Sequence, residues 1–307
     1  MQRISTSNMS FQYLTDLNRA LVRENKLQEQ MASGKTLNRA SDDPIRISRS
    51  LRFHSALAQN DKYVSNYGDA ETWMKNSDDA LQTMGSVLIR VKELVVQAAN
   101  DTNTEDERKS IGTEINKLVD TLVDAANSKV GDRYLFGGQS DRSQPYTRNP
   151  DGTVSFAGDN HFISMRLQAG GVSPVQDSIN VTCAEAFGAD CEMFNKINEI
   201  AQALTSNETP DGRPMGQWLS YVALADVDTN HERLLQADAS LGARMNSYEM
   251  LGNMLLDRDT NINIDISNNE DTDYAKAISE YQLWDNVYNA ALKTGAMVLP
   301  MSLVEFL

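Results

Sequence analysis

A chain of 307 residues exceeds the usual size of one domain, and its formal net charge of −15, without any dense run of Lys and Arg, argues against nucleic acid as a partner. Apolar residues form 40% of the chain and charged residues 23%, while only 7 Pro and 17 Gly are present, a composition suited to long helices. No apolar run reaches the ~20 residues that span a bilayer, so no membrane association is expected. The start MQRISTSNMSFQYL lacks the basic and continuous apolar regions of a cleaved leader, which leaves a cytosolic protein or one exported by a signal-independent route.

From Ser10 to Met31 the residues Phe11, Leu14, Leu17, Leu21, Leu27 and Met31 recur at helical spacing and form one thin apolar stripe. The stretch SGKTLNRASDDPIRIS, residues 33–48, then reads as a connector between two helices. Gly34 suits a left-handed C-cap, and Ser41 or Asp42 is placed to cap the next helix. Asp43 lies near the positive end of that helix, and Pro44 sits in its first turn, where a missing amide costs nothing. Between Ser48 and Ala99, Tyr67, Met74, Leu81, Leu88 and Val95 fall at intervals of seven, with Met84, Val91 and Ala98 beside them, which predicts a coiled-coil seam. Thr104-Glu105-Asp106-Glu107 is a capping box. Ile111, Ile115, Leu118, Leu122 and Ala125 form one face of the helix it starts, and Gly131 is expected to stop it.

The texture changes from Tyr134. Gly137-Gly138, Asn149-Pro150-Asp151-Gly152, Gly158-Asp159-Asn160 and Gly170-Gly171 are turn signals between short runs such as 153–156 and 162–167, and they predict a small β-rich insertion. Glu192 to Leu204 returns to helix, ended by a loop with Pro210-Asp211-Gly212. Leu234, Leu241, Tyr248, Leu255 and Ile262 then repeat every seven residues and are expected to pair with the earlier seam. After a break at Asn268-Asn269-Glu270-Asp271, a last helix carries Tyr274, Tyr281, Tyr288 and Gly295 at one heptad position and Ala277, Trp284, Ala291 and Val298 three further on. Ile278, Leu283, Val287 and Leu292 widen its apolar surface well beyond one stripe.

Gly34-Lys35-Thr36 matches the close of a phosphate-binding P-loop, but Glu29 stands where that motif has its first glycine. A carboxylate there repels phosphate, and helix precedes it where the motif follows a strand, so the nucleotide reading fails. His54, His161 and His231 fall in three separate segments with no triad order or metal-ligand spacing. The pairs Asp42-Asp43, Asp78-Asp79 and Glu270-Asp271 read as caps or helix surface. Arg46, Arg49 and Arg52 share a helical face, read as solvated in the single molecule and able to meet an acidic neighbour in an assembly. Cys183 and Cys191 lack Cys-x-x-Cys spacing, and both a local disulfide and two free thiols stay open. No catalytic, cofactor or metal constellation emerges, so an enzyme is the weakest class.

Function is therefore sought in the two terminal helices. If residues 10–31 and 274–299 pair, the thin first stripe hides only part of the broad second one, and the rest is expected to face further copies of the chain or a related protein. The candidate assembly interface is Leu14, Leu17, Leu21, Tyr274, Ile278, Tyr281, Trp284, Tyr288 and Leu292. Gly34, Asp42, Asp43 and Pro44 form the candidate connector.

Four separated segments carry a resemblance. Residues 33–43 (SGKTLNRASDD), 91–100 (VKELVVQAAN), 240–246 (SLGARMN) and 271–275 (DTDYA) resemble, in order, segments of the bacterial flagellin family of flagellar axial proteins, over roughly residues 1–140 and 215–307. Arg3-Ile4-Ser5-Thr6, Ser41-Asp42-Asp43-Pro44 and Arg133-Tyr134-Leu135-Phe136-Gly137-Gly138 are more similar to the family's hook-filament junction branch than to filament subunits. The resemblance implies a mainly α, elongated flagellin-like helical bundle with terminal coiled-coil helices and a looped-out, β-rich surface domain. It places an inner coiled-coil domain at 1–42 and 269–307, a helical bundle at 43–140 and 191–268, and the insertion at 141–190. It further implies type III export to the cell exterior and self-association in a ring or helical array. The implied partners are hook-associated protein 1, flagellin, and a cytoplasmic export chaperone on the C-terminal helix. The alternatives are a minor flagellin that builds filament and, in a different class, a cytoplasmic coiled-coil scaffold protein.

Overall fold

The computed structural model describes residues 6–100, 102–167 and 178–298, so Arg3-Ile4-Ser5 and Gly170-Gly171 lie outside the described residues. Eight α-helices account for most of it: α1 Thr6–Ser33, α2 Pro44–Ala98, α3 Glu105–Ala126, α4 Cys183–Ala186, α5 Glu192–Ser206, α6 Met215–Trp218, α7 Leu224–Glu270 and α8 Tyr274–Val298. A π-helical turn, Leu219–Ala223, joins α6 to α7 without a break in helical backbone. Four short strands pair as two antiparallel hairpins, β1 Lys129–Val130 with β2 Arg133–Tyr134, and β3 Tyr146–Arg148 with β4 Val154–Phe156. The chain forms two compact units, one of Met1–Asn60 and Asp257–Leu307 and the other of Asp61–Leu256, and α2 and α7 contribute residues to both.

The larger unit is built on the predicted seams. Met74, Leu81, Met84, Leu88, Val91, Val95 and Ala98 of α2 are buried in one core with Leu234, Leu241, Tyr248 and Leu255 of α7, and Tyr67 is half-buried against it. Interval-of-seven spacing keeps these side chains on one face, and burying each Leu or Val contributes about 1.5–3 kcal/mol. Exposed ion pairs flank the seam: Lys92 Nζ lies 2.6 Å from Asp228, and Arg90 reaches Glu114 of α3 at 2.8 Å.

The capping box at α3 forms as read, with the Glu107 amide donating to Thr104 Oγ1 and the Thr104 amide to Glu107 Oε2. The buried face of α3 is turned slightly from the expected one. Val119, Val123 and Ala126 join Ile111, Ile115 and Leu122 inside, while Leu118 and Ala125 are half-buried. Gly131 does not stop the helix. Asn127 does, its side-chain amide exchanging two hydrogen bonds with the backbone of Tyr146, while Gly131 turns the first hairpin at φ 59°.

The expected β-rich insertion carries few strand residues. Of the run 162–167, only Ser164 forms a bridge, with Ser178. Tyr146, Phe136, Phe187 and Phe194 instead meet ring to ring at 5.1–5.7 Å and are fully buried in the same core as the helices. Aromatic burial replaces sheet hydrogen bonds as the stabilising element here.

Helices α3 and α5 pack against each other in this unit, and Gly112 permits the close approach. A Cβ at position 112 would lie 2.8 Å from Thr205 Oγ1, 2.9 Å from Leu204 Cβ and 3.0 Å from the Ala201 carbonyl. Gly112→Ala improves local helix propensity by up to ~1 kcal/mol, yet it is expected to destabilise the protein by about 1–3 kcal/mol because the contact is overpacked. Urea unfolding measures the sign, and a stabilised variant would contradict this packing.

Candidate functional site

In the smaller unit α1 and α8 pack against each other in antiparallel sense. Tyr13 Oη donates to the Ala291 carbonyl at 3.0 Å, and Arg23 lies 3.5 Å from Glu280, so the start of α1 meets the end of α8. Ala20, Leu27, Ala277 and Gly295 are buried, and Leu17, Tyr281, Trp284 and Tyr288 are half-buried. The remaining candidate residues stay outside: Leu14, Leu21, Tyr274, Ile278 and Leu292 are all exposed. Phe11, Val22, Leu283 and Val287 add to this surface, with Phe11 72% and Leu283 60% accessible. Two helices bury one face each, and the stripe of α8 is wider than that face, so among the described residues its excess is left exposed.

The connector is fastened to the α7–α8 break. Gly34 adopts φ 74°, a left-handed conformation that favours glycine, and its amide closes α1 on the Gln30 carbonyl at 2.9 Å. Residues beyond it run antiparallel to the break. The Thr272 amide donates to the Gly34 carbonyl at 2.9 Å, the Thr36 amide to the Glu270 carbonyl at 2.6 Å, and Lys35 bridges Asp271. Thr36 Oγ1 adds bonds to the carbonyls of Glu270 and Asp271 at 2.8 and 2.9 Å.

The centre of this junction is the buried Glu270 carboxylate. Lys35 Nζ and His54 Nε2 each lie 2.8 Å from it, and Ser50 Oγ donates to it. Burial alone raises a carboxyl pKa, but the hydrogen bonds from Lys35, Ser50 and His54 outweigh it and hold Glu270 at about 2. Beside it Arg46 donates to the Asn269 carbonyl, and Asn269 Nδ2 returns a bond to the Arg46 carbonyl at 3.0 Å. Arg46 is thus engaged with the break, while Arg49 and Arg52 remain exposed.

Asp43, and neither Ser41 nor Asp42, is the cap of α2: its Oδ1 accepts from the amides of Ile45 and Arg46 at 3.0 Å each, and Pro44 opens the helix. Asp42 folds back on the connector, taking Lys26 Nζ at 2.7 Å and the amides of Asn38 and Arg39. The Lys26 bond first, then that of Arg39, lowers its pKa. Gly34, Asp42, Asp43 and Pro44 therefore sit in one cluster around the junction. Lys35, Thr36, Ser50, His54 and Glu270 complete it and were not singled out from sequence for this role. The one available signal was an acidic pair inside a polar helix break, which resembles any other cap. A cleft of about 430 Å³ beside the junction is lined by Arg23, Lys26, Arg46 and Lys276 together with Asp42, Asp271, Asp273 and Glu280. Its charges of both signs match no single small ion.

The bacterial flagellin N-terminal helical region, as a family model, matches residues 4–141. Flagellar hook-associated protein 3 of Salmonella typhimurium is 26% identical over 317 aligned residues that cover 99% of each chain. The protein of that name from Escherichia coli is 25% identical over 316, again covering 99% of both. Among solved structures, flagellar hook-associated protein 3 from Legionella pneumophila superimposes with a TM-score of 0.58 over 70% of this chain and 98% of its own, at 14% identity, which shows a shared fold.

The folded pKa of Glu270 lies below its ordinary value of 4.5, so its stabilisation is complete above pH 4.5 and is lost as pH falls toward 2. Glu270→Gln is expected to cost about 2–3 kcal/mol at pH 7, read as a roughly 30-fold or greater rise in hydrogen exchange at the Thr36 and Thr272 amides. The difference from wild type shrinks between pH 4.5 and 2. Equal protection in the two proteins at pH 7 would contradict the hub.

Proposed function

Because the bacterial flagellin N-terminal model matches residues 4–141 and the chain aligns from end to end with hook-associated protein 3, we propose that it is a flagellin-family protein, the structural adaptor joining hook to filament in a bacterial flagellum. The observation that supports an assembling role most directly is the apolar surface left uncovered on α1 and α8, with Leu14, Ile278, Leu283 and Leu292 exposed. A monomer gains nothing from such a surface, whereas lateral and axial neighbours in a ring or helical array remove it from water at about 25 cal/mol per Å².

On this reading residues 1–42 and 269–307 form the inner coiled-coil layer, with Leu14, Leu17, Leu21, Tyr274, Ile278, Tyr281, Trp284, Tyr288 and Leu292 as contact positions. Leu17, Tyr281, Trp284 and Tyr288 serve the α1–α8 contact itself, and the exposed members face neighbours. The connector residues Gly34, Asp42, Asp43 and Pro44, with Glu270, hold α1 and α8 in register. The partners are hook-associated protein 1 on the hook side, flagellin on the filament side, and, before export, a cytoplasmic chaperone that shields the C-terminal helix. The working location is extracellular, and the role is structural, with no catalytic step.

Ile278 and Leu283 are exposed, so replacing both with Glu leaves the packed helix faces intact. The double variant is expected to fall at least tenfold in sheared appendages, each lost apolar contact being worth about 1–3 kcal/mol. The thermal unfolding of the Asp61–Leu256 unit stays unchanged. Wild-type recovery of the variant in appendages would overturn the proposal.

A further inference from the structure

Cys183 and Cys191 are the only cysteines of the chain. Both are buried, and their sulfurs lie 4.0 Å apart in the core of the larger unit. Cys183 opens α4 directly after its cap Thr182, and its thiol also faces the Gly188 carbonyl at 3.8 Å. Gly188, Asp190 and Cys191 adopt φ of 83°, 52° and 60°, and this left-handed bend brings the second sulfur back beneath the first. Asp190 and Cys191 are not glycine, so the bend is costly backbone that the surrounding packing must hold. Tyr146, Phe187 and Phe194 meet ring to ring in the same buried core as both cysteines.

We propose that Cys183 and Cys191 form an intramolecular disulfide, a structural redox site that closes the 183–191 loop. The oxidant is a small-molecule or protein disulfide. The Cys183 thiolate attacks one sulfur of that disulfide and expels the other as a thiolate, leaving a mixed disulfide. The Cys191 sulfur, on losing its proton, then attacks Sγ of Cys183, forms the internal S–S bond and expels the second thiolate. Two protein thiols are oxidised, one disulfide is reduced to two thiols, and the two protons pass to the departing thiolates through solvent.

In the closed loop the two thiols are unequal. The hydrogen bond from Cys191, then that from Tyr146, pulls the Cys183 pKa down against burial, while the contact with Cys183 followed by burial pushes Cys191 up. Both sulfurs are enclosed in the folded unit, so exchange takes place while the loop is open during folding. Once closed, the bond removes loop entropy from the unfolded chain and holds the strained bend at Asp190 and Cys191.

The test uses the full chain, refolded from urea in a buffer of reduced and oxidised glutathione, then denatured, alkylated and weighed. The expected product carries no alkyl adduct, is monomeric, and melts roughly 5–10 °C above protein refolded with a non-thiol reductant. In Cys183→Ala, Cys191→Ala and the double variant the reductant shifts nothing. If the single variants fail to fold, the wild-type comparison alone decides. Two adducts per chain, a cross-linked dimer, or equal melting with and without reductant would overturn the proposal.

Discussion

One buried carboxylate sets the geometry of the terminal helices. Glu270 ends α7, and its side chain and backbone together bind Lys35, Thr36, Ser50 and His54, residues that lie more than two hundred positions earlier in the chain. A carboxylate left alone in such a place would protonate or drive the site open; Lys35, Ser50 and His54 satisfy it, so it remains charged and fixed. The connector after α1 and the break before α8 are thereby one unit of structure. From that fixed point α1 and α8 run side by side until Tyr13 meets Ala291.

The register so imposed explains what is left exposed. Ala20, Leu27 and Ala277 are consumed in the contact between the two helices, while Leu14, Ile278, Leu283 and Leu292 face outward. A chain selected to be a monomer places charges at such positions. Here the outward residues remain apolar in a protein of net charge −15, so under the proposed assembly any attraction between copies falls to the terminal helices. Assembly by ordered packing then competes well with unspecific aggregation.

Periodic features were legible from sequence, and long-range polar ones were not. The seams of α2 and α7 and the capping box at Thr104 depend on spacings of three to seven residues, and the structure forms them where the spacing put them. The Lys35–Asp271 bridge and the Glu270 hub link distant segments, and nothing local in GKT or NNED marks the partner. The sequence pointed to Ser41 or Asp42 as the cap, but Lys26 claims Asp42 and Asp43 caps the helix, a tertiary fact. The aromatic packing of the middle segment was not legible for a related reason: Phe136, Tyr146, Phe187 and Phe194 stand singly in the sequence and gain their meaning only on meeting. Of the candidate interface the apolar excess of α8 was readable, whereas its division into inward and outward residues needed the register.

A junction adaptor and a filament subunit share these terminal helices, and what separates them is where copies stop adding. Immunogold labelling of the protein on intact flagella measures that directly. A label confined to a narrow zone between hook and filament is the predicted result, and label distributed along the filament, or absent from the appendage, would contradict the account.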